Sequence, residues 1–218
     1  IALSGRVIAL NAPEIGVQRF KDYLTFDHQR HLRSWFHLGE HYRTAGDSAA
    51  YMETKQSWAT LYPERVVFTK ALELRRQDPA VAARLFAEAA RLNPTYSDAW
   101  AHLGECYADA GLYDSAQSVL RIALRLNPDE ASAHSNMGVT YLNQQKPEFA
   151  RSYLQKAHAL KPDEPMVCYN LALCYLMLRQ EDHFVTYIEK AAALPAATAS
   201  IHVNLGDWYA HKGDFPRA

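Results

Sequence analysis

Residues 97–130 read SDAWAHLGECYADAGLYDSAQSVLRIALRLNPDE and predict two amphipathic helices joined by a short turn. Leu103 and Tyr107 are four residues apart, so they lie on one face of the first helix. Gly111 suits the turn because it has no Cβ to resist a left-handed backbone. Pro128 ends the second helix, since proline cannot continue one. This segment is therefore interpreted as an antiparallel helical hairpin.

Two small residues mark the predicted contact between these helices. Gly104 and Ala116 stand where the helices must approach closely, and a larger side chain there would overpack by roughly 1–3 kcal/mol. A single hairpin cannot bury both of its faces. It must therefore stack on copies of itself.

The same pattern recurs at intervals of 34 residues. The landmark residues of the hairpin at residues 97–130 are Trp100, Leu103, Gly104, Tyr107, Ala116, Leu120 and Pro128. One interval later the corresponding positions hold His134, Met137, Gly138, Tyr141, Ala150, Leu154 and Pro162. We predict one continuous solenoid of about six hairpins over residues 1–218. Its units are placed at approximately 1–31 (partial), 32–65, 66–96, 97–130, 131–164, 165–198 and 199–218 (partial).

Two of these units are predicted to be irregular, and both ends of the chain fall inside a unit. Residues 66–96 are interpreted as a 31-residue copy with a shortened turn at Asp78 and Pro79. Residues 165–198 form a degenerate copy, in which Arg179 replaces the turn glycine and Phe184 replaces the small contact residue. We expect local splaying there, because a large side chain would force the helices apart. The incomplete terminal units predict that the sequence is a fragment of a longer chain.

The spacing Trp-x2-Leu-Gly-x2-Tyr, followed by Ala and Pro, resembles the tetratricopeptide repeat (TPR) family. Residues 35–42 and 100–107 match this motif at every landmark. The resemblance implies an all-α fold, a right-handed superhelical solenoid of antiparallel helix hairpins. It also implies that the first helices line a concave groove, which in this family most often holds peptide segments of partner proteins.

Composition excludes several classes of function. The formal net charge of −1 gives no general attraction to nucleic acid, so no nucleic-acid partner is predicted. No apolar run approaches the ~20 residues that cross a bilayer, which predicts a soluble segment without direct membrane insertion. Three cysteines do not make a disulfide framework. They are compatible with a reducing compartment, which slightly favours the cytoplasm, although the compartment itself stays undetermined.

No catalytic motif emerges from the sequence. It has neither a Gly-Lys-Ser/Thr phosphate loop nor a Gly-x-Ser-x-Gly elbow, so no catalytic residue and no cofactor is predicted. Residues 37–41, HLGEH, spell an inverted zinc-protease motif with two imidazoles four residues apart. The Leu and Gly within it are landmarks of the repeat, and no third ligand is evident. We therefore predict no metal site there.

Three asparagines that the repeat does not dictate occupy equivalent positions. Asn136, Asn170 and Asn204 are separated by 34 residues each time, so they would form a row on one face of the solenoid. An amide can donate to a peptide carbonyl and accept from its N–H. The row resembles the asparagine ladder in the repeat domain of the O-linked GlcNAc transferases, which holds extended polypeptide. The alternative is that each amide only bonds a neighbouring helix. His37 and His102 replace asparagine in earlier copies.

The groove positions inferred from the family change in character along the chain. They are acidic in the middle, at Glu105 and Asp109, and apolar later, at Tyr169, Leu173 and Met177. Large apolar groups on a concave face suggest contact with a partner, and the alternative is burial within the chain itself. The predicted peptide-binding residues are Asn136, Asn170, Asn204, His102, Glu105, Asp109, Asn143, Tyr169, Leu173 and Met177.

The sequence thus predicts a non-catalytic scaffold that binds an extended peptide segment of a partner protein. One alternative is the substrate-selecting or regulatory arm of a larger enzyme, such as a glycosyltransferase. Another is self-association into a homo-oligomer through a terminal repeat, because an uncapped solenoid end is apolar.

Overall fold

The computed structural model describes residues 40–213, and these residues form helices and connecting turns without a strand. The predicted all-α fold class is confirmed. The described residues fall into two compact units that divide between Val66 and Val67. Residues 40–44 are helical. The helices that follow are α1 Ser48–Leu61, α2 Pro63–Leu74, α3 Pro79–Leu92, α4 Ser97–Asp109, α5 Tyr113–Leu126, α6 Ala131–Asn143, α7 Pro147–Leu160, α8 Pro165–Met177, α9 Glu181–Ala193 and α10 Ala199–His211.

The first unit contains α1, whose start follows from its capping residue. The Asp47 carboxylate accepts a hydrogen bond of 3.0 Å from the backbone N–H of Ala50, which satisfies one of the free donors of the first turn. Gly46 precedes it with φ 73°, the left-handed conformation expected of a turn glycine. The copies predicted over residues 1–39, including the motif at 35–39 and His37, lie outside the described residues.

From α2 onward, the helices begin at strictly periodic positions. First helices of successive hairpins start at residues 63, 97, 131, 165 and 199, and second helices at 79, 113, 147 and 181. The hairpin interpreted from the sequence as a shortened copy over residues 66–96 has the same spacing as its successors. Its first helix begins at Pro63, which is suited to the first helical position because it lacks an N–H. The turn that follows holds residues 75–78, one residue more than the later turns.

Each of the two regular hairpins is closed by contact between a glycine and a leucine. A Cβ built on Gly104 would lie 2.5 Å from Cγ of Leu120, and one on Gly138 would lie 2.5 Å from Cγ of Leu154. Both leucines are completely buried. In the next hairpin the equivalent positions hold Ala172 and Ile188, which belong to one buried cluster. In the two hairpins with glycine, the helices are thus so close that even a Cβ would clash with the opposing leucine.

Stacking of hairpins buries the other face of each helix. One cluster joins the buried residues Ala101, Leu120, Ala123, Ala133 and Met137, which come from two successive hairpins. Trp100 packs against this cluster and donates its indole N–H to the carbonyl of Pro94 at 3.0 Å. The apolar core therefore runs from one repeat to the next, as in a solenoid.

The turn conformation is conserved between hairpins even where glycine is not. Gly111 and Gly213 have φ of 75° and 78°, and the equivalent Gln145 and Arg179 have φ of 59° and 58°. The degenerate unit therefore keeps the turn as well as the 34-residue spacing. Phe184 is 2% exposed and its ring centroid lies 4.6 Å from that of Trp208 in α10. The predicted splaying of this unit stays a prediction.

We expect Gly138→Ala to lower the free energy of unfolding by about 1–2 kcal/mol. The new methyl would overlap Leu154, and the gain in helix propensity would offset only part of the overpacking cost. Urea denaturation of the variant and the parent chain measures the difference.

The double variant Gly138→Ala/Leu154→Ile provides the matched control. It reproduces the natural pair Ala172 and Ile188, so it should recover most of the lost stability. Equal destabilisation of the single and double variants would contradict this account of the helix contact.

Candidate peptide-binding groove

The predicted asparagine row forms a series of contacts between successive first helices. Asn136 donates through Nδ2 to the carbonyl of Ala101 at 3.2 Å. Asn170 donates to the hydroxyl of Ser135 at 3.3 Å. Asn204 donates to the hydroxyl of Tyr169 at 2.7 Å. Each acceptor lies 35 residues before its donor, so every amide links its own repeat to the preceding one.

These contacts leave part of each amide's hydrogen-bonding capacity for another molecule. An asparagine side chain carries two N–H donors and a carbonyl oxygen with two lone pairs. The contacts above use one donor of each of Asn136, Asn170 and Asn204. Asn204 is exposed, and the other two are half-buried. The structural role suggested as the alternative therefore accounts for only one N–H of each amide.

A cavity of about 340 Å³, here called the central cavity, lies between α6 and α8. It contains four of the predicted residues, Asn143, Asn170, Leu173 and Met177. The remaining lining residues are Tyr113, Val139, Leu142, Gln145 and Leu176. None of the nine carries a formal charge at neutral pH. The central cavity therefore combines apolar walls with a few amide groups, which is typical of a recognition pocket.

A second cavity of about 350 Å³, here called the C-terminal cavity, adjoins α10. Leu173 and Leu176 line both cavities, which places the two side by side. The C-terminal cavity adds Phe184, Ile188, Asn204, Asp207, Trp208 and His211. Sequence reasoning missed the last turn of α10, although Asp207 and His211 follow Asn204 at helical spacing on the same helix.

The acidic residues predicted in the groove take part in a polar network with a cation from the preceding hairpin. Arg75, in the turn after α2, donates to the Glu105 carboxylate. Nδ1 of His102 lies 3.2 Å from the other oxygen of the same carboxylate. The His102 ring also stacks on Phe86, with centroids 5.2 Å apart and planes 16° apart. His102 is therefore tied to its own repeat and the one before it.

Asp109 lies one helical turn beyond Glu105 and lines a third cavity of about 720 Å³ together with Arg75. Burial raises the pKa of the Asp109 carboxyl above its ordinary value. The nearby Glu105 raises this pKa further, and Arg75 opposes the increase. We call Glu105 and Asp109 the acidic end of the groove.

The three cysteines are buried and free. Burial raises the pKa of the Cys106 and Cys174 thiols to about 11 and raises the pKa of Cys168 as well. Thiolate is the reactive form, so these thiols are unreactive near neutral pH and act as small packing residues.

Over residues 40–213, no group of three His, Cys, Asp or Glu side chains is arranged to hold a metal ion. In that same range, none of the helices has the length and hydropathy needed to cross a bilayer. In the HLGEH motif, His41 is exposed, and His37 lies outside the described residues.

The structure brings together only some of the predicted residues. Asn143, Asn170, Leu173 and Met177 meet in the central cavity, and Asn204 joins Leu173 in the neighbouring one. Tyr169 contacts Asn204 through its hydroxyl, and burial raises its pKa. Sequence reasoning missed Tyr113, the first residue of α5, and Gln145, in the turn between α6 and α7. Their helical spacing carries no signal, because they reach the cavity from outside the first helices.

We expect Asn136→Ala to lower the free energy of unfolding by about 0.5–1.5 kcal/mol, because it removes a hydrogen bond between repeats. Urea denaturation measures this change. Asn143→Ala, an exposed amide in the last turn of the same helix, serves as the control and should change stability by less than about 0.5 kcal/mol. Equal effects of the two substitutions would show that the Asn136 contact contributes nothing to stability.

Comparison with solved structures finds similar folds in several bacterial proteins. MamA from Desulfovibrio magneticus RS-1 is 24% identical and has a TM-score of 0.56, with 70% of this chain and 87% of that chain covered. A thermophilic TPR protein of Thermus thermophilus is 22% identical with a TM-score of 0.59, over 79% and 95% of the two chains. PilF of Pseudomonas aeruginosa is 17% identical with a TM-score of 0.59, over 84% and 86%.

No curated protein sequence matches the chain. A family model described as tetratricopeptide repeat matches residues 73–138, which span α3, α4 and α5 and most of α6. The structural neighbours share the same helical-repeat fold. Residues 73–138 therefore match the tetratricopeptide repeat, and the helical hairpins around them share the fold of tetratricopeptide proteins.

Proposed function

We propose that the chain is a protein-interaction scaffold that holds an extended peptide segment along the first helices of residues 97–211, without catalysing a reaction on it. In general terms, the tetratricopeptide fold supports a scaffold role. The observation that carries the finer proposal is the central cavity, which is uncharged, apolar and bordered by the amides of Asn143 and Asn170.

The dimensions of the site favour a peptide side chain over a compact small molecule. The central and C-terminal cavities are each about 350 Å³ or less and share Leu173 and Leu176. Two adjacent apolar depressions of this size can receive separated side chains of one extended chain. A backbone lying over Asn170 and Asn204 would then face the donors and acceptors that the contacts between repeats leave available.

The strength of such binding follows from how little surface each cavity offers. One or two buried apolar side chains contribute about 1.5–3 kcal/mol each, and ordering an extended peptide offsets part of this gain. We expect an affinity in the micromolar range, or about −8 kcal/mol. A scaffold of this kind exchanges partners readily.

We expect Leu173→Gln to weaken peptide binding at least tenfold. The substitution replaces one of the two leucines that line both cavities with a polar side chain. The measurement is fluorescence anisotropy with peptides selected on the full chain from a displayed library of random sequences long enough to cross three repeats.

Phe149→Gln is the matched control. Phe149 is 61% exposed, stacks on Tyr141 and lines neither of these two cavities, so its loss should leave the affinity within about twofold. Thermal unfolding of both variants shows that they stay folded. Unchanged affinity for a well-folded Leu173→Gln chain would eliminate these cavities as the binding site.

A further inference from the structure

We propose that the partner segment is basic as well as apolar, with a Lys or Arg side chain against Glu105 and Asp109 and a large apolar side chain, a few residues away, in the central cavity. This inference rests on the proposed peptide groove and adds the chemistry of its occupant. It depends on how charge is distributed along the first helices.

The acidic end carries more negative than positive charge. Around it stand three carboxylates, Asp78, Glu105 and Asp109, and two guanidiniums, Arg75 and Arg84. The local balance is therefore −1.

Two of these charged groups make hydrogen bonds to the backbone at the start of α3. The Asp78 carboxylate caps α3 by accepting from the backbone N–H of Val81 at 3.0 Å, and Arg84 donates to the carbonyl of Ala80 at 3.4 Å. The charges that act on the Asp109 carboxyl are those of Glu105 and Arg75, and the Arg75 guanidinium donates to Glu105.

Asp109 is the carboxylate that an incoming cation would neutralise. It lies at the exposed end of α4 but is partly desolvated by its neighbours; desolvation first, and then repulsion from the Glu105 carboxylate, raise its pKa. A Lys or Arg side chain beside it would relieve this repulsion from Glu105. An acidic partner segment would increase the repulsion, so charge complementarity selects against it.

The 34-residue spacing of the first helices determines where the apolar part of the peptide would lie relative to its cation. Asp109 and Asn143 are separated by 34 residues, so they hold the same position in successive first helices. Asn143 lines the central cavity, and Tyr113, which begins α5 after the turn that follows Asp109, lines it too. A peptide that places a cation at Asp109 therefore enters the central cavity with its next residues.

None of the nine side chains that line the central cavity is charged, so none can pair with a charged group on the partner. Burying a charge there would cost far more than burying a Leu, Met or Phe side chain. Beyond it, Asp207 in the C-terminal cavity supplies another carboxylate. The groove thus offers an uncharged centre between acidic residues, which fits an apolar residue flanked by basic ones.

The experiment uses the full chain and the displayed library of random peptides described above. Selection at low ionic strength should enrich sequences in which Lys or Arg stands within a few residues of Leu, Met or Phe. Affinity for an enriched peptide should fall about three- to tenfold in Asp109→Asn, and raising the salt should weaken binding further. Asp182→Asn, an exposed carboxylate in the first turn of α9, is the control and should bind as the parent chain does.

A charge exchange gives the sharpest outcome. Asp109→Lys should lose the basic peptides and bind their Lys→Glu counterparts better than the parent chain does. Enrichment of neutral or acidic peptides whose affinity ignores both salt and Asp109→Asn would overturn the inference. If those peptides still lost affinity in Leu173→Gln, the groove would stand and only its charge preference would be wrong. A library without any enriched sequence would contradict the proposed function itself.

Discussion

The contact between a small residue on the first helix of a hairpin and a branched aliphatic residue on the second underlies the three hairpins of residues 97–193. Gly104 faces Leu120, and Gly138 faces Leu154, at a distance that leaves no room for a methyl group. Close approach here lets each hairpin bury its inner face completely, and it sets where the outer positions of the first helix stand. The central cavity exists because those outer positions, repeated every 34 residues, are spaced by stacked hairpins and not by a single packed globule.

The asparagine row illustrates how one residue can serve the fold and the site together. Each amide donates one hydrogen bond to the preceding repeat. This bond orients the side chain and holds neighbouring first helices in register. An orientation fixed in this way costs less entropy when a peptide binds than that of a freely rotating side chain. The two interpretations of the row that the sequence leaves open are therefore compatible.

Residue patterns predicted the fold far better than they predicted the site. The 34-residue recurrence of Trp100, Leu103 and Gly104 was sufficient for an all-α repeat fold, because those residue types have few other reasons to recur. The recurrence is absent from α2, which begins at Pro63 and holds Thr69 and Lys70 at the positions of Leu103 and Gly104. Of the residues that line the central and C-terminal cavities, those named as groove positions from the sequence all lie on first helices. Tyr113, Gln145 and Arg75 come from turns and the start of a second helix, and their convergence depends on three-dimensional stacking that a helical period does not encode.

The central claim is that a peptide occupies the first-helix face of the second unit. Nuclear magnetic resonance of the full chain, titrated with a selected peptide, tests it most directly through the side-chain amide signals of asparagine. The account predicts that the signals of Asn143, Asn170 and Asn204 shift and saturate together, while that of Asn93, at the end of α3, stays in place. Binding that moved Asn93 and left the other three unchanged would contradict it.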